Sequence, residues 1–399
     1  MKVREKMAEG GTDTGGTSGV ADSAQVYPYE FDPEIRKRSK SIALRFLRLN
    51  LTSMIAGALL LLVLLLSGIA EQVSLALRGI YWPLSVLIYI PAFIALFFLI
   101  ELYFSFRRFS LRKETGITTQ SVSGWLEDQV KGISISLVIS TAGTEFLFAI
   151  MQLEKDYWWI VAATAYVIVS ISYSTLFPLL FARFFYRIKP LQEGDTRNRL
   201  RKLLERVGLG RLEIFTLNES SRSSSANAFV TGIGKGKKVV VFDNLLRKFA
   251  PAEVDSIVAH ELGHYLKRDT AASMVINVAM AYFLAYMLYL TLGIIERMRI
   301  VYSSADPSAV LWFALVLGLV EFALAPLMNL YSRSRESEAD RFSLNLTTDP
   351  VAFISGEKRL CDINMIEESV PVIRKILFAT HPSTLERIQM GERWKPDGK

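Results

Sequence analysis

Long apolar runs separated by polar, charged segments dominate this chain of 399 residues. A helix needs about 20 consecutive apolar residues to cross the hydrocarbon core of a bilayer, and six runs reach that length. We therefore predict six transmembrane helices. They cover residues 51–70, 82–101, 132–151, 158–183, 272–295 and 308–331.

The polar segments divide the chain around these spans. A Gly-, Thr- and Ser-rich beginning cannot bury enough apolar surface to order itself, so we predict a disordered tail there. The segment after the fourth span alternates helix and strand patterns. The predicted fold is an all-α polytopic membrane protein with a small α+β cytoplasmic domain. Its parts are a basic arm (1–49), four spans (50–185) with a polar loop (105–131), a polar segment (186–271), two spans (272–331) and a C-terminal segment (332–399).

Composition and charge agree with a membrane protein. Hydrophobic residues make up 51% of the chain, too many for an ordinary soluble protein. The net charge of +7 does not indicate nucleic acid, because Lys and Arg cluster beside the first, second, fourth and sixth spans. By the positive-inside rule, both termini and the long polar segments are cytoplasmic. Arg297 and Arg299, in the fifth loop, run against this pattern.

Two further features argue against other kinds of site. The single cysteine, Cys361, excludes an internal disulfide and fits a reducing compartment. The run GIGKGK at 232–237 lies between two predicted strands and lacks Ser or Thr after its Lys, so it predicts a hairpin turn instead of a phosphate loop.

The candidate metal ligands and general base lie in HELGH, residues 260–264. Pro251 marks the start of a helix, on which His260 and His264 share one face and can reach one ion. Neutral imidazoles suit zinc, and an open position on that ion keeps a water whose pKa it lowers. Glu261 is then the general base that passes a proton to the leaving amine. The alternative is a pair of core histidines with this spacing by chance.

A catalytic zinc needs a third protein ligand. The segment SRSRESEAD, residues 332–340, offers carboxylates on the helix that leaves the sixth span. Glu336 and Asp340 lie four apart on one face, so we predict Glu336 as the ligand and Asp340 as the carboxylate that orients a ligating histidine. Glu338 projects about 160° away. The alternative, a solvated charged face, leaves the two-histidine site incomplete.

Together, HELGH and SRxxExxAD resemble the CAAX prenyl endoproteases, a gluzincin family of integral-membrane zinc metallopeptidases. The likeness covers nearly the whole chain after residue 50. Eukaryotic members carry seven spans, and the first has no counterpart among the six predicted here. Four more segments resemble that family: ETGITTQSVSGWLEDQVKG at 114–132, RSSSANAFVTG at 222–232, VVVFDNLL at 239–246 and THPSTLERI at 380–388.

This resemblance implies a helical barrel around an intramembrane, water-filled chamber, with one Zn²⁺ per chain at its cytosolic end. It implies the same three zinc ligands and the same general base. Asn227, Ala228 and Phe229 would form an edge strand to which an extended substrate adds. His381 would help to stabilise the oxyanion near the scissile carbonyl.

We therefore expect a membrane-embedded zinc metalloendopeptidase that cleaves near the membrane, with CAAX-type processing of prenylated peptides implied by the resemblance alone. The expected partners are a peptide or protein substrate, prenylated or not, and the lipid bilayer; nucleic acid is not expected. One alternative is a quality-control protease of membrane proteins. Another is a non-catalytic scaffold or transporter that binds zinc, against which Glu261 argues. For Arg387, a pair with a carboxylate near the site and a plain surface ion pair are equally good interpretations. The sequence assigns no role to Glu145 or Glu321, and no oligomeric state.

Overall fold

The computed structural model describes residues 27–180, 188–221, 223–231 and 237–396. Within them, a long helix lies at the position of every predicted span. Five of these helices are long and apolar enough to cross a membrane, and the remaining one, α5, is apolar over Trp158–Ser174. Residues 181–183, at the end of the fourth predicted span, lie outside the described residues. The six helices are α1 (Pro33–Leu66), α3 (Trp82–Glu114), α4 (Val122–Leu153), α5 (Trp158–Leu180), α9 (Asp269–Arg297) and α10 (Ala309–Thr347).

The first helix begins well before the predicted span. Asp32 caps it, since its side chain accepts hydrogen bonds from the backbone N–H groups of Glu34 (2.8 Å) and Ile35 (3.2 Å), and Pro33 occupies the first position. The basic residues from 33 to 49, which we assigned to the arm, are therefore helical. The predicted disordered tail, residues 8–24, lies outside the described residues.

The membrane half has a core of its own. The buried side chains of α1, α3, α4, α5, α9 and α10 form one apolar cluster, together with those of the short helix α2 (Ile69–Leu77). Large apolar side chains such as Leu59 and Val138 are exposed on the outside of this bundle. Such a surface is stable in lipid, where the helices satisfy their own backbone hydrogen bonds. A cavity of about 500 Å³, lined mainly by apolar side chains, lies between α3, α4 and α10.

A small α+β unit follows α5. Its four-stranded sheet has the order β1-β2-β4-β3, in which β2 and β4 are parallel and the two outer pairs are antiparallel. Val239 and Val241 of the inner strand β4 are fully buried, as expected for a strand with neighbours on both sides. The strands are β1 (Ile188–Pro190), β2 (Glu213–Leu217), β3 (Ala228–Thr231) and β4 (Lys238–Phe242). Most of the predicted hairpin turn, residues 232–236, lies outside the described residues.

Six further helices lie in the described residues of the polar part of the chain. They are α6 (Asp195–Arg206), α7 (Asp243–Lys248), α8 (Pro251–Leu266), α11 (Pro350–Ile363), α12 (Val372–Phe378) and α13 (Thr384–Arg393). The contact that brings the two predicted site segments together is between α8 and the second half of α10. It is close because Gly263 has no side chain: a Cβ there would stand 3.1 Å from the Cα of Ala339. The HELGH helix is thereby held against the SRSRESEAD segment. The predicted fold class, helical spans with a small α+β domain, is confirmed.

Candidate metal centre

The helix α8 is well specified by its own sequence. Pro251 stands at its first position, and the Glu253 side chain accepts a hydrogen bond of 2.7 Å from the backbone N–H of Ala250. Val258 and Leu262 are fully buried against the sheet side. The helix ends before Arg268, whose positive φ of 56° turns the chain into α9. This turn brings the first residue of α9 back beside the end of α8.

Three ligand atoms converge at the contact between α8 and α10. The Nε2 atoms of His260 and His264 lie 3.1 Å apart. Each Nε2 lies 3.4 Å from an oxygen of the Glu336 carboxylate. Ligand atoms about 2.0–2.1 Å from a tetrahedral zinc ion lie ~3.3 Å from one another. The triangle formed by these three side chains therefore matches the size of a zinc site.

The other nitrogen of each ring is already engaged. Nδ1 of His260 lies 2.8 Å from the Asp340 carboxylate, and Nδ1 of His264 lies 2.8 Å from Asp269. A neutral imidazole that donates from Nδ1 presents a lone pair at Nε2. Two such lone pairs, 3.1 Å apart and facing a carboxylate, repel one another unless a cation lies between them. The residues present thus fit a divalent metal ion.

The local electrostatics point the same way. Burial by itself would lower the pKa of His260, but its hydrogen bonds with Asp340 and Glu336 outweigh burial and raise that pKa to about 10. The pKa of His264 is also raised: burial opposes the shift, and the hydrogen bonds with Glu336 and Asp269 overcome it. The carboxylates therefore favour positive charge at the point where the two rings meet.

Glu261 lies beside this triangle on α8. Burial raises the pKa of its carboxyl group, and the two neighbouring histidines partly offset that effect. A carboxyl group whose pKa is shifted upward towards neutrality is a better proton acceptor and donor for hydrolysis than an exposed one.

His381 comes to the metal centre from far along the chain. Its Nε2 lies 3.3 Å from Oε1 of Glu336, and its Nδ1 lies 2.9 Å from the hydroxyl of Thr380. The side chain is 63% exposed, so it faces the open side of the site. Nothing in the sequence spacing indicated that this residue lies near the two histidines of HELGH, and only the family resemblance did.

The strand β3 lies at the edge of the sheet and contacts α8. The carbonyl of Asn227 accepts a hydrogen bond of 3.0 Å from the N–H of Phe242, so this pair is a hydrogen-bonded pair of the ladder. In antiparallel pairing the next residue, Ala228, and then Val230 turn their backbone groups to the other side. Of the three residues named from the sequence, Asn227 and Phe229 therefore face β4 with their backbone groups. Ala228 faces away from β4, and its N–H donates to Oδ1 of Asn227 at 2.9 Å.

One residue of the site, Asp269, was missed from the sequence, and the role of another, Arg387, was left open. Asp269 orients His264 and also accepts a hydrogen bond of 2.7 Å from Nε of Arg335. The Arg387 side chain is 15% exposed, and its Nε donates to Asp340 at 2.8 Å. For Asp269 a signal existed, since it stands five residues after His264 at the first position of the next helix. For Arg387, a pair with a carboxylate near the site and a surface ion pair were equally good interpretations of the sequence, and the structure shows the first.

Comparison with known proteins adds to this geometry. The profile of Peptidase family M48 matches residues 190–395, and the profile described as CAAX prenyl protease N-terminal, five membrane helices, matches residues 23–187. Bacillus subtilis has a similar protein, named uncharacterized metalloprotease YhfN, which is 26% identical over 69% of this chain and 66% of its own. CAAX prenyl protease 1 of Saccharomyces cerevisiae is 28% identical over 68% of this chain and 62% of its own. The chain thus matches slightly less than two thirds of the length of these relatives.

The crystal structure of S. mikatae Ste24p is similar in fold. It superposes with a TM-score of 0.80 and covers 90% of each chain, at 19% sequence identity. This likeness extends over the membrane half and the α+β unit together.

Proposed function

Because the chain belongs to Peptidase family M48, we propose that it is a membrane-embedded zinc metalloendopeptidase. One observation carries the proposal: two imidazole nitrogens and a carboxylate, drawn from α8 and α10, converge at 3.1–3.4 Å with both Nδ1 atoms turned away to other carboxylates. Two histidines and one carboxylate with room for a further ligand are typical of catalytic zinc.

The proposed roles follow from the position of each side chain. His260, His264 and Glu336 hold the metal ion, which would act as a Lewis acid and acidify a water molecule. Glu261 takes the proton from that water and delivers it to the leaving amine. His381, on the exposed side of Glu336, donates a hydrogen bond to the oxyanion that develops on the scissile carbonyl.

The proposed substrate is an extended peptide. It adds to the outer edge of β3, where the C=O of Ala228 and the backbone N–H and C=O of Val230 are its hydrogen-bonding partners. Since relatives of this chain are named CAAX prenyl proteases, we further propose CAAX-type peptides with a prenyl group as substrates. The Lys and Arg distribution supports a cytoplasmic active site and cytoplasmic termini. The same likeness favours this function over quality control or a non-catalytic scaffold.

The decisive experiment replaces Glu261 by Gln in the detergent-solubilised protein. We expect kcat on a farnesylated CAAX-type peptide to fall by about 100-fold or more, with zinc content unchanged, because the metal ligands stay in place and only the base is lost. Glu392→Gln, an exposed carboxylate on α13, is the matched control and should leave kcat unaltered. Undiminished cleavage in Glu261→Gln contradicts the mechanism.

A second arm tests the proposed substrate. The farnesylated peptide and its unprenylated twin are compared with the wild-type protein. Faster cleavage of the farnesylated peptide is expected, because the lipid-facing spans offer its chain an apolar environment. Equal rates would favour a protease that acts on membrane proteins without regard to prenylation.

A further inference from the structure

A row of buried polar side chains follows one face of α10. Residues three and four apart share a face of a helix, and this row keeps that spacing over four turns. Its members, apart from the ligand Glu336, are at most 9% exposed. The row consists of Asn329, Arg333, Glu336, Asp340 and Ser343. Glu336 and Asp340 belong to the metal centre, whereas the mechanism above uses neither Asn329 nor Arg333.

These two side chains hold the last turn of α12. Arg333 donates from Nη1 to two backbone carbonyls, at 2.9 and 2.6 Å. Asn329 donates from Nδ2 to two more, at 3.2 and 2.8 Å. The four acceptors are the carbonyl groups of Lys375, Ile376, Leu377 and Ala379. The final carbonyls of a helix need partners from outside the helix, and here α10 supplies them.

The clamped turn leads directly to His381. After Ala379 only four residues remain before α13 begins at Thr384. On α13, Arg387 is bound to Asp340, so α10 holds this connection at both ends. One anchor lies three residues before Glu336, and the other lies four residues after it. The connection must therefore pass over the Glu336 carboxylate, where His381 stands at 3.3 Å.

We propose that Asn329 and Arg333 are positioning residues for His381. The imidazole of His381 is mostly exposed and depends on its backbone for placement, because a side chain 63% exposed has little packing to hold it. Fixing the carbonyls of α12 fixes that backbone relative to Glu336. Asn329 and Arg333 touch neither the substrate nor the metal ligands, and they act on the reaction only through His381. The kinetic side of this inference rests on the proposed peptidase function.

A double-mutant cycle tests the inference in the full-length protein. Arg333→Met removes the donors and keeps a long side chain, and we expect kcat to fall by about 10- to 100-fold, since a displacement of about 1 Å can cost that much. KM and zinc content should stay unchanged. In a protein that already carries His381→Ala, Arg333→Met should cost nothing further. An equal loss in both backgrounds, or a loss of zinc, overturns the proposal.

Hydrogen exchange gives a readout that does not need activity. The amides of residues 379–381 and 383 should exchange faster in Arg333→Met and in Asn329→Leu than in the wild type. Arg341→Met, at an exposed position of α10, should change nothing. If Arg333→Met does not fold, Arg333→Lys and Asn329→Leu carry the same measurements. Unchanged exchange in all of them overturns the proposal. A protein with no peptidase activity but faster exchange in these variants refutes the function and keeps the clamp.

Discussion

The two histidines of the metal centre have unequal supports. Asp340, which binds His260, is 0% exposed and is itself held by Arg387. Arg387 in turn reaches Glu357 at 2.6 Å, with both side chains largely buried. On the other side, Asp269 binds His264 and is held by Arg335.

We call Asp340, Arg387 and Glu357 the inner support, which holds His260, and Asp269 and Arg335 the outer support, which holds His264. The outer support extends to the surface. The Arg335 side chain is 22% exposed and its second partner, Glu338, is 36% exposed. Ion pairs in contact with water contribute little to stability, whereas breaking a buried pair leaves an uncompensated charge that costs several kcal/mol. The inner support also joins α10 to α11 and α13, while the outer one joins α10 only to the start of α9. We therefore expect a substitution in the inner support to weaken both metal binding and folding, and a substitution in the outer support to weaken mainly metal binding.

The largest effect is expected from Asp340→Ala. Loss of the carboxylate frees Nδ1 of His260 and leaves Arg387 with Glu357 alone. We expect zinc affinity to fall by about 100-fold and stability by about 3–5 kcal/mol. Zinc retention against a chelator and the apparent melting temperature in detergent are the measurements. A variant that keeps both zinc and melting temperature would show that the inner support does not matter.

The local part of this site was accessible from the sequence. Residues four apart share a helix face, so HELGH placed both imidazoles together and SRSRESEAD placed Glu336 beside Asp340. The spans followed from apolar length alone. The start of α1 was missed although Asp32, Pro33 and Glu34 form a helix-start pattern. The apolar run that follows indicates a span by its length, but not the residue at which the helix begins.

The remaining parts of the site and fold depend on tertiary contacts, which the sequence pattern does not indicate. No periodicity indicates that Arg387 lies against Asp340, because the two stand on different helices and meet only when α13 packs over α10. The backbone clamp of α12 is equally invisible, since Arg333 binds carbonyl groups, which every residue carries. Strand β1 has three residues, too few for any alternation to be recognised.

A smaller effect is expected from Asp269→Ala. His264 loses its orienting carboxylate, so zinc affinity should fall by about 10-fold. Stability should change by less than about 1 kcal/mol, because Arg335 remains in contact with water and with Glu338. The same chelator competition and melting experiment applies, with Arg335→Met as the milder companion variant. Losses as large as those of Asp340→Ala would remove the difference between the two supports.

The smallest effect is a pH dependence confined to the inner support. Burial raises the pKa of Glu357 from 4.5 to about 7, although Arg387 opposes the shift. Between these values the folded protein keeps a proton that the unfolded chain releases, so stability falls as pH rises through this window.

Glu357→Gln removes the titrating group. We therefore expect its apparent melting temperature to decline less than that of the wild type between about pH 5 and pH 7. Glu338→Gln, at the exposed end of the outer support, is the matched control and should follow the wild-type slope, because it leaves Glu357 in place. If Glu357→Gln and the wild type have parallel slopes, the carboxyl group is ionised throughout that window and shares Arg387 with Asp340 as a second anion. The inner support would then be a buried cluster with two negative charges, and its excess charge would be balanced only when the metal ion is bound to His260.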